Sequence, residues 1–126
     1  ITPLQMAAWE EQFEIVQFLV KTCTNKVDII GQTNSRGSNS LHYAARFSKK
    51  NVQTLQFLID NYNGNIKTII NQKDSIMDFT PLDWAYYRDN SPIKNEIVSL
   101  LRKYGGKANS YNKNGNYVGK GNYVIM

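Results

Sequence analysis

The sequence TPLQMAA at residues 2–8 returns in altered form as NSLHYAA at residues 39–45 and as TPLDWAY at residues 80–86. Each copy has a polar residue able to cap a helix, then a residue suited to the first helical turn, then Leu with Ala three positions later. The copies begin 37 and then 41 residues apart. This recurrence predicts repeated units, each opening with a short helix whose narrow apolar stripe lies against a close neighbour.

Each opening helix is followed by a second apolar segment, found at residues 15–20, 54–59 and 97–101. Apolar side chains recur there at spacings of three and four residues, which is typical of a buried helical face. Ser91 and Pro92 form a further cap-and-proline start, and Gly105 follows the last helix as a C-cap residue. Polar stretches with turn-forming residues separate the pairs, at residues 34–37, 74–78 and 112–115. The sequence therefore predicts pairs of short helices joined by exposed turns.

These repeats resemble those of ankyrin-repeat proteins, whose signature is Thr-Pro-Leu-His-x-Ala-Ala. The first copy matches six of the seven places, counting the free one, with Gln5 replacing the histidine. The second copy keeps Leu41 and His42, and the third keeps Thr-Pro-Leu and Ala85. Residues 106–109 resemble the end-of-repeat Gly-Ala-Asp-x-Asn, so the resemblance covers residues 1–116. It implies an all-α ankyrin-repeat solenoid of stacked helix-turn-helix pairs with short β-turn fingers.

The spacing departs from the family, because ankyrin repeats are usually about 33 residues long. We expect the additional residues in the connectors at 27–32 and 66–72, and in longer links at 48–51 and 88–91. The glycines usual at two loop positions are replaced by Glu11 and Asp78. In the second pair, Val52 and Thr54 compete for the same place, which leaves two possible registers.

The repeats divide the chain into residues 1–105, with repeats at about 1–33, 34–73 and 74–105, and a tail at residues 106–126. The tail is rich in Asn, Gly and Tyr, and GNYV at residues 115–118 recurs at residues 121–124. We expect a partial fourth finger or a capping hairpin there, with a disordered tail as the alternative. Because the sequence does not begin with Met, we interpret it as a fragment. Because the first repeat opens at its helix, a longer array stays open.

The resemblance implies function as a protein–protein interaction module that binds a partner protein or peptide in the concave groove of the stack. The two positions after the Ala-Ala pair project into that groove in the family. The turn residues before each cap add to it. The predicted partner-binding residues are Trp9, Glu10, Arg36, Arg46, Phe47, Met77, Phe79, Tyr87 and Arg88, with Ser38 and Ile76 beside them. The competing interpretation is that Trp9 and Tyr87 cover the ends of the stack or touch neighbouring helices, while Trp84 and Tyr86 pack inward.

Catalysis and metal binding are disfavoured by the residues available. His42 is the one histidine and Cys23 the one cysteine, too few ligands for a zinc site and no indicated nucleophile–base pair. The 10 acidic residues show no repeated spacing, and GKG at residues 119–121 lacks the pattern of a phosphate-binding loop. We expect no enzymatic activity, no metal and no cofactor, and we interpret His42 as a structural residue.

The excess of positive charge lies at the C-terminal end of the chain, in residues 102–126. Residues 1–101 are electrically balanced, so the net charge of +5 comes entirely from Arg102, Lys103, Lys107, Lys113 and Lys120. Dispersed cations of this kind make nucleic acid an unlikely partner, although RNA or anionic lipid contact through the tail stays an alternative. A second alternative is a targeting segment of a larger multidomain enzyme or effector. The chain contains no apolar run long enough to span a membrane.

The cysteine content is the one indication of compartment. A lone cysteine favours a reducing environment, so we expect an intracellular, cytoplasmic monomer, with host-cell delivery as an effector left open.

Overall fold

The computed structural model describes residues 1–119, which contain eight helices and no β-strand apart from one bridge between Tyr111 and Tyr117. The helices are α1 Pro3–Trp9, α2 Phe13–Thr22, α3 Lys26–Gly31, α4 Ser40–Phe47, α5 Gln53–Asn61, α6 Ile66–Ile70, α7 Pro81–Tyr87 and α8 Ile93–Lys103. None of these helices has the length and apolar character that crossing a membrane would require. Three pairs, α1 with α2, α4 with α5 and α7 with α8, form the body of the molecule.

The first helix of each pair begins as the repeated motif predicts. Thr2, Asn39 and Thr80 are the N-caps of α1, α4 and α7, and each side chain accepts from backbone amides of the first turn. The side chain three residues after each cap accepts from the cap's own amide, which completes a reciprocal capping box. Proline occupies the first helical position of α1 and α7, where its missing N–H costs nothing.

The stack is held together by apolar packing between successive pairs. Helix α4 lies between α1 and α7. The second helices of the first two pairs, α2 and α5, also pack against each other. Leu4, Leu41 and Leu82, the leucines of the three motifs, are all buried in one continuous core. The alanines three residues after those leucines are buried too, so their small side chains allow the helices to approach closely. The all-helical solenoid expected from the sequence is confirmed.

The connectors that carry the additional residues contain two short helices that the sequence analysis does not predict. Helix α3 follows α2 and α6 follows α5, and they begin at the N-caps Asn25 and Asn65. Ile30 on α3 and Ile70 on α6 join the core. The additional residues therefore extend the buried surface. In the second pair, α5 starts at Gln53, immediately after its N-cap Val52.

The tight turns before α4 and α7, at residues 34–38 and 74–79, are the first and second fingers, and they pack against each other. In the first, Asn34 N donates to Ser38 O over 3.0 Å, and in the second Asp74 N donates to Phe79 O over 2.9 Å. Ser75 N donates to Arg36 O over 2.8 Å and so ties the second finger to the first.

The residue at the histidine place of each motif reaches the next finger. Gln5 Nε2 donates to Ser38 O over 3.0 Å, and His42 Nε2 lies 3.1 Å from Phe79 O. In the third motif Asp83 accepts from the amides of Asn109 and Ser110 over 3.0 and 2.8 Å. The carboxylate thus binds amide donors where the other two side chains bind carbonyl acceptors.

The two loop positions without glycine adopt a left-handed backbone. Glu11 has φ 53° and Asp78 has φ 60°, a region that costs a non-glycine residue about 1–2 kcal/mol. The Glu11 side chain offsets part of that cost, because its carboxylate accepts from Lys49 N over 2.7 Å and from Lys50 N over 3.0 Å. This contact joins the first loop to the link between α4 and α5.

The start of the tail folds back onto the third pair. Asn112 N donates to Asn116 O over 2.9 Å, as in a further finger, and Tyr111 packs on Phe79 and Tyr86. The second GNYV copy at residues 121–124 lies outside the described residues. The repeat boundaries at about 33, 73 and 105, and a capping role for the tail, stay predictions.

Candidate partner-binding groove

A cavity of about 590 Å³ opens between the fingers and the first helices of the three pairs. Side chains from α1, α4, α7 and the first two fingers line it, so all three repeats contribute to one depression. We call this depression the groove. It combines the exposed ring of Trp9 with the side chains of Arg36 and Arg46.

Three aromatic rings form one wall of the groove. Trp9 from the first pair stacks on Phe47 from the second with ring centroids 5.0 Å apart and planes inclined by 22°. Tyr43 lies 5.8 Å from Trp9 and 6.1 Å from Phe47. Trp9 remains 44% exposed, while the other two rings are half-buried. The wall crosses a repeat boundary and presents a rigid apolar surface, which is the kind that anchors partners at interfaces.

The Arg46 guanidinium lies over two aromatic rings. Its carbon atom is 4.8 Å from the centroid of Phe47 and 4.1 Å from that of Trp84. Contacts of this kind contribute about 0.5–2 kcal/mol and hold the planar group in place. Within residues 1–119 the guanidinium has no hydrogen bond and no ion pair, and the side chain lines the groove.

Most other polar groups of the lining are already hydrogen-bonded. Asp74 is buried, and its carboxylate accepts from Trp84 Nε1 over 2.8 Å and from Met77 N over 2.9 Å. Asn34 Nδ2 donates to Tyr43 Oη over 2.9 Å, which leaves the tyrosine proton free for another acceptor. The polar lining is therefore fixed by the fold except at Arg46, Tyr43 and the finger tips.

His42 reaches the groove but is committed to structure. Its Nδ1 accepts from Asn39 N over 3.0 Å, and its Nε2 lies 3.1 Å from Phe79 O. Burial lowers the pKa of His42, because desolvation of the imidazolium outweighs the hydrogen bond to Phe79 and the field of Asp74. The ring is therefore neutral and has no free nitrogen. Within the described residues no group of three or more His, Cys, Asp or Glu side chains could hold a metal ion.

The structure brings four of the predicted binding residues together. Trp9, Arg36, Arg46 and Phe47 all line the groove, as do Ser38 and Ile76. Glu10, Met77 and Tyr87 are exposed but do not line this cavity. Trp84 and Tyr86 are buried, as the inward-packing interpretation expected.

Two of the predicted binding residues are corrected by their burial. Phe79 is only 1% exposed, because its ring is enclosed by Trp84, Tyr87 and Tyr111. Arg88 is 9% exposed, and its Nη1 donates to the carbonyl of Ala45 over 3.1 Å, which links the third pair to the second. Neither side chain is available to a partner.

Tyr43 and Trp84 line the groove although neither was predicted from the sequence to do so. Both occupy the free place of the Thr-Pro-Leu-His-x-Ala-Ala motif. A signal was present in the sequence, since Tyr43 precedes Arg46 and Phe47 by three and four residues and so shares their helical face.

Comparison with known proteins identifies the family. A family model described as ankyrin repeats (3 copies) matches residues 4–114. A comparison with curated proteins found no match for the chain. The chain therefore belongs to the ankyrin-repeat family, whose repeats are generally protein–protein interaction modules and typically non-catalytic.

Proposed function

We propose that this protein binds a partner protein or peptide in the groove, without catalysis. The observation that carries the proposal is the Trp9–Tyr43–Phe47 wall, which stays accessible although it is held by contacts across two repeats. A surface already fixed in the free protein loses little conformational entropy on binding. Arg46, oriented by two rings and without a partner in residues 1–119, adds a directional polar contact.

The competing interpretation, that Trp9 covers the end of the stack or touches a neighbouring helix, explains its contact with Phe47 but leaves the exposure of its ring unexplained. An end cover would lie on the outer face of the first pair, whereas Trp9 stacks on Phe47 of the second pair and lines the cavity. Exposed apolar side chains do occur on α2, where Phe18 is 64% exposed. That helix offers no aromatic wall and no unpaired arginine beside it, so we place the binding surface in the groove.

The test is capture of the physiological partner by the full-length protein from the cells that make it, with quantitative comparison of variants. The double variant Trp9→Ala with Arg46→Ala should lose capture and keep its helical circular dichroism, since both side chains lie outside the core. Ile15→Ala with Phe18→Ala is the control, because it removes two exposed apolar side chains from α2, away from the groove. Normal capture by the groove variant would refute the site.

The same experiment separates the alternatives. Binding through the tail to RNA or anionic lipid would weaken steeply with salt and would disappear when Lys107, Lys113 and Lys120 are changed to Gln. These changes leave the contacts of Ser110 and Tyr111 with the third pair in place. A targeting role in a larger enzyme predicts altered location of that enzyme with unchanged turnover when the groove is mutated. Altered location with unchanged turnover is compatible with groove binding. Steep salt dependence together with dependence on the tail is not.

A further inference from the structure

Among the charged side chains that line the groove, only the positively charged ones lack a partner within residues 1–119. Three ionised side chains line it, namely Arg36, Arg46 and Asp74. Asp74 is buried and its two oxygens accept three donors, from Met77, Phe79 and Trp84. No comparable partner exists for either arginine side chain within the part of the chain that the structure describes.

The geometry of Arg46 restricts what it can bind. The guanidinium carbon lies over the rings of Phe47 and Trp84, and the N–H donors along the edge of the guanidinium plane have no hydrogen-bond partner within residues 1–119. That edge presents N–H donors in a fork that matches a carboxylate. The unused hydroxyl proton of Tyr43, on the same helix, supplies another donor in the lining.

Apolar surface lies in the same cavity. Trp9 is 44% exposed beside Phe47, and Ile76 at the second finger is exposed as well. A ligand that filled the groove would therefore meet an apolar wall together with an oriented cationic edge. A lysine or arginine from the partner would face Arg36 and Arg46 without a free carboxylate to pair with.

We propose that the groove selects a peptide segment in which an aspartate or glutamate lies next to a bulky apolar residue. The carboxylate accepts hydrogen bonds from Arg46, and the apolar side chain packs on Trp9 and Phe47. Arg36, at the tip of the first finger, favours additional acidic residues. This inference rests on the proposed function, since it names the chemistry of the partner that occupies the same groove.

The experiment is selection of random peptides displayed on phage against the full-length protein, the Arg46→Met variant and the Trp9→Ala variant. The wild type should enrich acidic–apolar segments. Arg46→Met keeps a long side chain beside the rings and should lose the acidic preference while keeping the apolar one. Trp9→Ala should lose enrichment of both features.

An enriched peptide then gives a quantitative test by a double-mutant cycle. Replacing its acidic residue by the matching amide should weaken binding to the wild type by roughly 10- to 100-fold, as expected for a hydrogen bond between charged groups. The same replacement should have little effect on binding to Arg46→Met. If Arg46→Met fails to fold by circular dichroism, Arg46→Gln replaces it in the cycle.

The outcomes separate this inference from the proposed function. Enriched peptides that are apolar without acidic residues, and that depend on Trp9, would overturn the acidic preference and leave groove binding intact. Peptides that bind Trp9→Ala as well as the wild type, or no enrichment over the Trp9→Ala, Arg46→Ala double variant, would overturn both.

Discussion

Leu41→Ala is the substitution that most directly probes the stacking of the three helix pairs. Leu41 is fully buried, and α4 packs against α1 on one side and α7 on the other. Because both neighbours are held by their own pairs, the space left by the side chain cannot collapse easily. Leucine-to-alanine changes in such sites cost about 2–5 kcal/mol, and we expect the upper half of that range.

That loss is large compared with the stability of the whole chain. At about 0.05–0.15 kcal/mol per residue, a domain of this length has roughly 6–19 kcal/mol of unfolding free energy. Leu41→Ala should therefore lower the urea midpoint strongly. The measurement is urea unfolding followed by far-ultraviolet circular dichroism, with the slope compared between variants to confirm that the same surface unfolds.

Met6→Ala is the matched control for this measurement. Met6 lies on α1 but is exposed, and alanine is at least as favourable in a helix, so a change within about 0.5 kcal/mol is expected. A loss below about 1 kcal/mol for Leu41→Ala, with an unchanged slope, would show that this leucine is not enclosed between repeats. The motif leucines would then not be what joins one repeat to the next.

Three further predictions concern the polar contacts between repeats. Burial lowers the pKa of His42 in the folded protein below the value of about 6.5 expected in the unfolded chain. The unfolded chain therefore binds the proton first, and the free energy of unfolding should fall as the pH decreases from 6.5 towards the pKa of His42 in the folded state. His42→Gln should flatten this part of a plot of the urea midpoint against pH. Glu11→Gly should be more stable than Glu11→Ala by about 1–2 kcal/mol in thermal unfolding, because both lose the contact to the Lys49 amide but only glycine relieves the left-handed backbone. Asp83→Asn should accelerate hydrogen exchange of the Ser110 amide about tenfold or more, because an acceptor of that amide is weakened.

Each of these predictions has a contradicting result. An unchanged pH profile in His42→Gln would show that the imidazole does not couple to stability. A glycine variant no more stable than the alanine variant would show that Glu11 is not strained. Unchanged exchange in Asp83→Asn would show that the carboxylate does not hold the finger.

The sequence was sufficient to predict the helix pairs because their signals are local. Capping by Thr2, proline at the first helical position and leucine–alanine spacing all act within one turn. The short helices α3 and α6 were not predicted, although Asn25 and Asn65 were available as N-caps. A helix of five or six residues is too short to show a clear apolar periodicity.

The binding residues were only partly predictable, because exposure depends on residues far away in sequence. Trp9 and Arg46 were identified from their place after the motif. Phe79 lies at a turn position that the sequence also predicts to be exposed. Tyr111 from the tail packs against its ring and helps to bury it. Arg88 was taken as a groove residue, whereas its donor reaches back to the Ala45 carbonyl of the previous repeat.

The most direct test of the account is a nuclear magnetic resonance titration of the isotope-labelled protein with an enriched peptide. We expect the largest shifts at the indole N–H of Trp9 and at the Arg46 side chain, on the groove surface. Shifts centred on Phe18 and the outer face of α2, with the groove signals unmoved, would contradict the account.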